Sequence, residues 1–201
     1  MSGDAEANDL GSGRSADPAS DVAAPSQRAA LAIMAGWLVL RPWRLDDIVF
    51  VYEACQDAEI QRWTTVPRPY RAGHATGFVT MARQSLLDGS EYHLCIADAD
   101  REEAIGAISV KAPCGGDAEI GYWIAPEGRG RGAAVTALEG LTQWCFSALD
   151  LSTVHLRIAP ANAGSLAVAE RCRFEIVDRQ TGACHDGDAI SDALVLRRDR
   201  P

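Results

Sequence analysis

The segment 120–135, IGYWIAPEGRGRGAAV, restricts the fold of this 201-residue chain more than any other stretch. An apolar run ends at a proline, three glycines alternate with two arginines, and a helix-forming stretch follows. Glycine lets a backbone approach a ligand closely and tolerates positive φ angles. The first turn of a helix offers unpaired N–H groups at the positive end of its dipole. A strand, a glycine-rich turn and a helix in this order therefore predict a site for phosphate or another anion.

Two general phosphate-binding motifs can be compared with this segment. A P-loop requires GxxxxGK[ST], and the absence of a lysine excludes it. The dinucleotide fingerprint GxGxxG/A is present as Gly128-x-Gly130-x-x-Ala133, between a predicted strand and a predicted helix. That fingerprint usually opens a domain, and the acidic residue expected about 20 positions later is missing from the end of the next strand. A dinucleotide-binding enzyme stays open as an alternative.

Apolar periodicity along the chain predicts a domain of the α/β (α+β) class. The predicted strands are 37–43, 92–97, 104–111, 118–124, 154–158, 174–178 and 193–197, and the predicted helices are 45–55, 75–87, 133–149 and 163–172. The segment 59–70, which contains two prolines, is predicted to be a loop. Short connections favour antiparallel pairing, and the strand–helix–strand unit favours one local parallel pair. We expect a mixed, mostly antiparallel, twisted sheet of about seven strands with helices on both faces.

Composition limits the domain organisation and the class of function. Residues 1–33 are rich in Ala, Ser, Asp, Gly and Pro, so we expect a disordered tail before a single domain over 34–201. The net charge of −9 argues against a nucleic-acid partner and is compatible with a cationic substrate such as an amine. No apolar run suits a membrane span or a signal peptide. The six cysteines form no CxxC pair and do not cluster with histidines, which indicates a reduced, cytoplasmic protein without a metal.

The segment 119–174 resembles the GNAT superfamily of acetyl-CoA-dependent N-acetyltransferases. The family's pyrophosphate motif, (Q/R)-x-x-G-x-(G/A), matches RGRGAA at 129–134. The sequence AEIGYWI before this loop, and QWCFSALDLSTVHLRI, NAGS and AERCRF after it, resemble the branch that acetylates the N-termini of ribosomal proteins (RimJ/RimL-like). WLVLRPWRLDD and the loop around Trp63 extend the similarity over most of the predicted domain.

The resemblance implies an enzyme that moves an acetyl group from acetyl-CoA to a primary amine by direct attack in a ternary complex. In the family, the strand before the loop splays from its neighbour and pairs with the pantetheine arm, and the loop amides wrap the pyrophosphate. The implied contacts with acetyl-CoA are Tyr122, Trp123, Ile124, Arg129, Gly130, Arg131, Gly132, Ala133, Ala134, Asn162 and Ser165. The amine acceptor is a small molecule or a protein N-terminus. No metal, nucleic acid or membrane is implied, and a homodimer is compatible with the sequence.

The resemblance assigns chemistry to Glu119 and Ser165. Glu119 stands where some family members carry a catalytic glutamate, which would take the amine's proton directly or through water. Its alternative roles are pairing with an arginine or binding the substrate. Ser165 stands where the branch has a serine near the thiol, so it would hydrogen-bond or protonate the leaving sulfur, or only serve the helix start. Asn162 would contact the pantetheine or only cap the same helix.

Two positions depart from the family pattern. Many members carry a tyrosine acid seven residues after the asparagine, and that position is Ala169 here. The helix usually ends in Gly-Phe, but Arg173 precedes Phe174. If Arg173 adopts the left-handed conformation that favours glycine, we expect a cost on the order of 1 kcal/mol. These departures leave open a CoA-binding protein that has lost catalysis.

Aromatic residues and histidines outside the motif have less specific interpretations. Trp43, Trp63 and Tyr70 either line an acceptor pocket or belong to the core, where aromatic residues are common. His155 falls within a predicted strand and His185 in a predicted turn, so we expect structural or surface roles for both.

Overall fold

The computed structural model describes residues 25–201, which form six α-helices and one eight-stranded sheet. The helices are α1 (Pro25–Ala29), α2 (Ile48–Ala54), α3 (Ala58–Trp63), α4 (Ala72–Asp88), α5 (Ala133–Ala148) and α6 (Ala163–Arg171). The strands are β1 (Ile33–Ala35), β2 (Leu38–Pro42), β3 (Tyr92–Asp98), β4 (Ala104–Cys114), β5 (Asp117–Ile124), β6 (Thr153–Ile158), β7 (Glu175–Asp186) and β8 (Ala189–Asp199). Short 3₁₀ turns, Leu45–Asp47 and Pro126–Gly128, precede α2 and follow β5.

The folded part of the chain begins earlier than residue 34. Most of the predicted tail, residues 1–24, lies outside the described residues, but residues 25–33 contain α1 and the first residue of β1. Arg28 on α1 donates hydrogen bonds at 2.8 and 3.2 Å to the Leu87 carbonyl near the end of α4. Ile33 and Ala35 are buried. These contacts involve residues distant in sequence, which is why local composition did not reveal them.

The strand order is β1-β2-β3-β4-β5-β6-β8-β7. Neighbouring strands are antiparallel except for β5 and β6, which are parallel and are connected through α5. A parallel pair needs such a crossover, whereas an antiparallel pair can be joined by a short turn. The predicted mixed, mostly antiparallel sheet is confirmed, with eight strands rather than about seven.

Helices cover both faces of the sheet, as predicted. Strand side chains alternate between faces, so Ile120 and Ile124 of β5 join the core cluster that contains Leu138 of α5, while Trp123 packs against the second cluster. The second cluster contains buried residues of α2, α3 and α4, among them Val51, Ile60 and Val79. The candidate site at β5 therefore lies between two packed layers.

Two elements differ from the sequence prediction. The segment 59–70 is not entirely a loop, because it includes most of α3, whose first turn is capped by Asp57 accepting a 3.0 Å hydrogen bond from the Ile60 amide. Strands β7 and β8 extend well beyond the predicted 174–178 and 193–197. Strand β7 is exposed along most of its length at the edge of the sheet, so it lacks the alternating pattern that marks a half-buried strand.

The end of α6 confirms the expected left-handed residue. Arg173 has φ of 59°, and the Phe174 amide donates a 3.0 Å hydrogen bond to the Ala169 carbonyl. We predict that Arg173→Gly raises the free energy of unfolding by up to about 1 kcal/mol, because glycine adopts this conformation without the Cβ clash. Urea denaturation measures the change. Arg173→Ala removes the side chain but keeps the clash, so an equal gain in that control would contradict the explanation.

Candidate active site

A slot opens between β5 and β6. The two strands pair only from Asp117 with Thr153 to Glu119 with His155, and β5 then continues to Ile124 without a partner on that side. Parallel strands otherwise pair along their length, so the separation exposes backbone groups on the inner edge of β5. The splayed strand expected from the family resemblance is therefore present.

The pairing of β5 with β4 determines which backbone groups face the slot. The Ala125 amide donates a 2.9 Å hydrogen bond to the Ile105 carbonyl. Hydrogen-bonded and non-hydrogen-bonded pairs alternate along an antiparallel ladder, so the register places Trp123 in a hydrogen-bonded pair with Ala107. The N–H groups of Tyr122 and Ile124 consequently point toward the slot, whereas the Trp123 N–H points toward β4. Trp123 was predicted to contact acetyl-CoA together with Tyr122 and Ile124. It lines the cleft, but its backbone N–H group is not available to a ligand in the slot.

The glycine loop lies where β5 leads into α5. Gly130 and Gly132 have φ of 75° and 77°, and a Cβ at either position would meet no atom within 4 Å. Gly132 is the N-cap of α5, and within the described residues no side-chain hydrogen bond caps this helix. The N–H groups of the first turn, at Ala133 and Ala134, are therefore available to a ligand at the positive end of a 16-residue helix. Open space, free amides and a favourable dipole suit the pyrophosphate of acetyl-CoA.

The two arginine side chains of the loop already have partners. Arg129 donates a 3.0 Å hydrogen bond from Nε to the Ile124 carbonyl and pairs with Asp57, Nη2 to Oδ1 at 2.5 Å. Partial burial raises the pKa of Asp57, but hydrogen bonds from Arg129 and the Ile60 amide outweigh it and hold the pKa below its usual value. The Arg131 guanidinium lies 4.5 Å from the centre of the Trp37 ring and does not line the cleft. Any contact by Arg131 would thus come from its backbone.

A cleft of about 1210 Å³ runs from the glycine loop through the slot to α3. Its walls include Trp63, Tyr70, Phe78 and Met81 on the side opposite α5. Five cationic residues and two glutamates line it, although the whole chain carries a net charge of −9. The cationic residues are Arg62, Lys111, Arg129, Arg157 and Arg171, and the glutamates are Glu59 and Glu119. A cleft that is more positive than the rest of the protein suits a phosphate-bearing ligand.

Glu119 lies at the point where β5 and β6 separate. Its Oε2 is 2.5 Å from Nε of Arg157, while its Oε1 is 3.9 Å from Nζ of Lys111. The carboxylate lines the cleft with about a quarter of its side chain exposed, 24%. The arginine pairing considered from the sequence is therefore present, and Oε1 remains the less occupied oxygen.

Asn162, Ser165 and Tyr122 meet at the start of α6. The Asn162 side chain accepts a 3.0 Å hydrogen bond from the Ser165 amide, so its capping role is present. Ser165 is half-buried and lines the cleft together with Asn162. The Tyr122 hydroxyl lies 3.5 Å from the Ser165 carbonyl oxygen, a contact that no local sequence pattern predicts. Ala169, where the family tyrosine would stand, is fully buried.

The remaining predicted residues divide between cleft and core. Trp63 and Tyr70 line the cleft, whereas Trp43 is buried in the core with an edge-on ring contact to Phe78 at 5.5 Å. His155 lies on β6 with Nε2 4.0 Å from Asp117. His185 belongs to β7 rather than to a turn, and it lines the cleft.

This arrangement of sheet, slot and glycine loop defines an acetyltransferase of the GNAT class. Residues 38–175 match the acetyltransferase (GNAT) domain family, and the protein belongs to that family. The membership of the acetyl-CoA-dependent N-acetyltransferase family that the sequence predicted is therefore confirmed.

One curated relative and two solved structures illustrate what the chain is similar to. The chain is 24% identical over 140 residues to the uncharacterized N-acetyltransferase p20 of Bacillus licheniformis, covering 69% of this chain and 79% of that protein. RimJ of Mycobacterium smegmatis, solved with CoA-disulfide, superposes with a TM-score of 0.73 at 22% identity, over 84% of each chain. RimL, a ribosomal L7/L12 alpha-N-protein acetyltransferase solved with coenzyme A, gives 0.76 at 20% identity, over 84% of this chain and 98% of that one. At these identities the two structures establish the shared fold.

The dinucleotide interpretation is wrong. The sheet is mostly antiparallel, whereas the dinucleotide fold is built on parallel strands. Gly128, the first glycine of the formal fingerprint, lies in a 3₁₀ turn against the core, where a Cβ would be 2.9 Å from Ile124 Cγ2 and 3.1 Å from Ile105 Cβ. Packing therefore accounts for this glycine.

In residues 25–201, no helix combines the length and the apolar character needed to cross a membrane.

Proposed function

We propose that this protein transfers the acetyl group of acetyl-CoA to a primary amine by direct attack in a ternary complex. The separation of β5 from β6 next to the uncapped start of α5 is the observation that carries the proposal. Tyr122 and Ile124 offer backbone N–H groups to the pantetheine arm and the acetyl oxygen, and the amides from Gly130 to Ala134 surround the pyrophosphate. The predicted Arg129 amide is not among them, because it donates a 3.2 Å hydrogen bond to the Pro126 carbonyl. Acetyl-CoA supplies an acyl group on a thiol that can leave.

The residues of the chain supply the remaining requirements of the transfer. The Glu119 side chain accepts the amine's proton through Oε1, directly or through a water molecule. The N–H groups at the slot stabilise the negative charge that develops on the acetyl oxygen. Ser165, at the start of α6, hydrogen-bonds the sulfur, and Asn162 orients the turn that carries it.

A protein N-terminus is the acceptor that we propose. Two of the structural neighbours are named RimJ and RimL, and the second is described as acting on the N-terminus of a ribosomal protein. The cleft continues beyond the glycine loop and the slot, where acetyl-CoA is placed, to α3, which leaves room for an acceptor beside the cosubstrate.

The test is an acceptor screen with the full chain and acetyl-CoA. The panel contains peptides with free N-termini, polyamines and amino sugars, and the acetylated product is identified by its mass. Mass detection is preferable to a thiol reagent because Cys114 is exposed and would react as well. We expect transfer to a free-N-terminus peptide and none to its N-blocked control. Transfer only to the small amines would contradict the acceptor, and an inactive panel would contradict the reaction.

A CoA-binding protein without catalysis is the second candidate. Ala169 in place of the tyrosine and the Arg157 partner of Glu119 favour it. Tight calorimetric binding of CoA, combined with no product from any acceptor, would select this candidate.

A further inference from the structure

The Tyr122 phenol connects the two elements on either side of the slot. Tyr122 belongs to β5, and its hydroxyl reaches the first turn of α6, the helix that follows β6. Tyr122 and Ser165 both line the cleft. The hydroxyl is therefore next to the turn whose serine we have placed near the sulfur of the acyl carrier.

The contact between this hydroxyl and the Ser165 carbonyl is weak. Its oxygen lies 3.5 Å from the carbonyl oxygen, compared with about 2.7–2.8 Å for a common O–H···O hydrogen bond. The Ser165 side chain is its other hydrogen-bond partner, so within residues 25–201 both contacts of the hydroxyl are with the residue placed near the sulfur. Burial raises the pKa of Tyr122 to about 12, so the phenol keeps its proton and remains a hydrogen-bond donor near neutral pH.

The tyrosine that many family members carry on the helix equivalent to α6 would place its hydroxyl near the same turn as Tyr122 does. Residues four apart share one face of a helix, and helical side chains tilt toward the N-terminus. A tyrosine at 169 would thus extend toward Ser165, but Ala169 carries only a methyl group, which is fully buried. The described part of the chain provides a phenol at this turn through β5 instead.

We propose that the Tyr122 hydroxyl donates a hydrogen bond to the CoA sulfur and stabilises the thiolate as it leaves. The proposal rests on the proposed function, namely that the pantetheine arm occupies the slot. The amine nitrogen bonds to the thioester carbon, the C–S bond breaks with its electron pair on sulfur, and the amine's proton passes to Glu119 or to water. Tyr122 keeps its own proton, because its pKa of about 12 lies above that of a thiol, about 8.5.

The experiment measures the thiol pKa of bound CoA, which requires no acceptor and no turnover. The ultraviolet absorbance of the thiolate is followed against pH for the CoA complex, and the desulfo-CoA complex is subtracted to remove the protein's own cysteines. We expect Tyr122→Phe to raise the bound thiol pKa by about one unit, because a hydrogen bond to the charged form favours that form. If transfer occurs, the same variant lowers kcat roughly tenfold, since bonds to charged groups are among the stronger ones.

Tyr92→Phe is the matched control. Tyr92 is a buried tyrosine whose ring lies edge-on to Trp144 at 5.1 Å, and it does not line the cleft. This control is expected to leave both the thiol pKa and kcat unchanged.

Each outcome separates the two proposals. Equal thiol pKa values in wild type and Tyr122→Phe overturn the role of the phenol, even where acetyl transfer proceeds normally. Failure of the wild-type protein to bind CoA overturns the proposed function, and the role of Tyr122 with it. If Tyr122→Phe does not fold, 3-fluorotyrosine at position 122 replaces it. That more acidic phenol is expected to lower the bound thiol pKa below the wild-type value, and an unchanged value overturns the proposal.

Discussion

Gly132→Val is expected to raise the Kd for acetyl-CoA about a hundredfold or more, a loss of at least ~2.8 kcal/mol of binding free energy. A Cβ at this position enters the open space beside the free amides of α5, where the pyrophosphate is proposed to lie. The φ of 77° is also a conformation that a β-branched residue strongly disfavours. The substitution would therefore both fill the anion site and move the amides that form it. Isothermal titration calorimetry with acetyl-CoA measures the change.

Gly77→Val controls for the effect of a glycine-to-valine change on a helix. Gly77 lies in α4, where a Cβ meets nothing within 4 Å and φ is not positive. We expect its Kd to equal that of wild type. Urea denaturation of both variants separates loss of binding from loss of folding. A Kd for Gly132→Val within threefold of wild type, in a folded protein, would show that the pyrophosphate does not lie at this loop.

Glu119→Gln is expected to lower kcat by about a hundredfold or more, which is within the usual range for removing a general base. The amide has nearly the same shape as the carboxylate but cannot accept the amine's proton. It also loses the charge that pairs with Arg157. The KM for acetyl-CoA should change little, because the proposed role of the carboxylate is to accept the proton of the amine and not to bind acetyl-CoA. Steady-state kinetics with the best acceptor from the screen, over a range of pH, measures both constants.

Asp117→Asn is the matched control for Glu119→Gln. Asp117 lies two residues earlier on the same face of β5 and loses the same charge, but it does not line the main cleft. We expect its kcat to be within twofold of wild type. Undiminished turnover by Glu119→Gln would show that Glu119 is not the base. If kcat fell equally in both variants, the effect would come from removing a negative charge from β5 rather than from the loss of proton transfer.

The main features of the fold could be predicted because they depend on local pattern. The strand–glycine–helix unit, the parallel pair beside it and the left-handed Arg173 follow from residue types at fixed spacing. Helix α3 could not be predicted in this way. It has only six residues, and its capping Asp57 is held by Arg129, 72 positions later in the sequence. Short helices depend on tertiary contacts more than on propensity.

The candidate site shows the same division between local and long-range information. Sequence located the free amides from Gly130 to Ala134, because glycine and helix-start patterns are local. It also suggested the loop arginines as sources of side-chain charge for the anion. In the structure, however, Arg129 pairs with Asp57 and the Ile124 carbonyl, and Arg131 with Asp98 and the Trp37 ring. The Tyr122 contact with Ser165 spans 43 positions and has no signature in either segment alone. The partners of these side chains are therefore determined by contacts between distant segments, which a local motif does not reveal.

The separation of β5 from β6 also affects the stability of the whole sheet. Strands β1–β5 and strands β6–β8 form two parts of the sheet, and only three residue pairs join them. We expect the two parts to separate at a lower free energy than that of complete unfolding, because so few residue pairs join them. A molecule lying along the gap would act as an additional strand, and at a hundred times its Kd it would contribute about 2.7 kcal/mol to the folded form. The cosubstrate would then hold together the same sheet that it needs in order to bind.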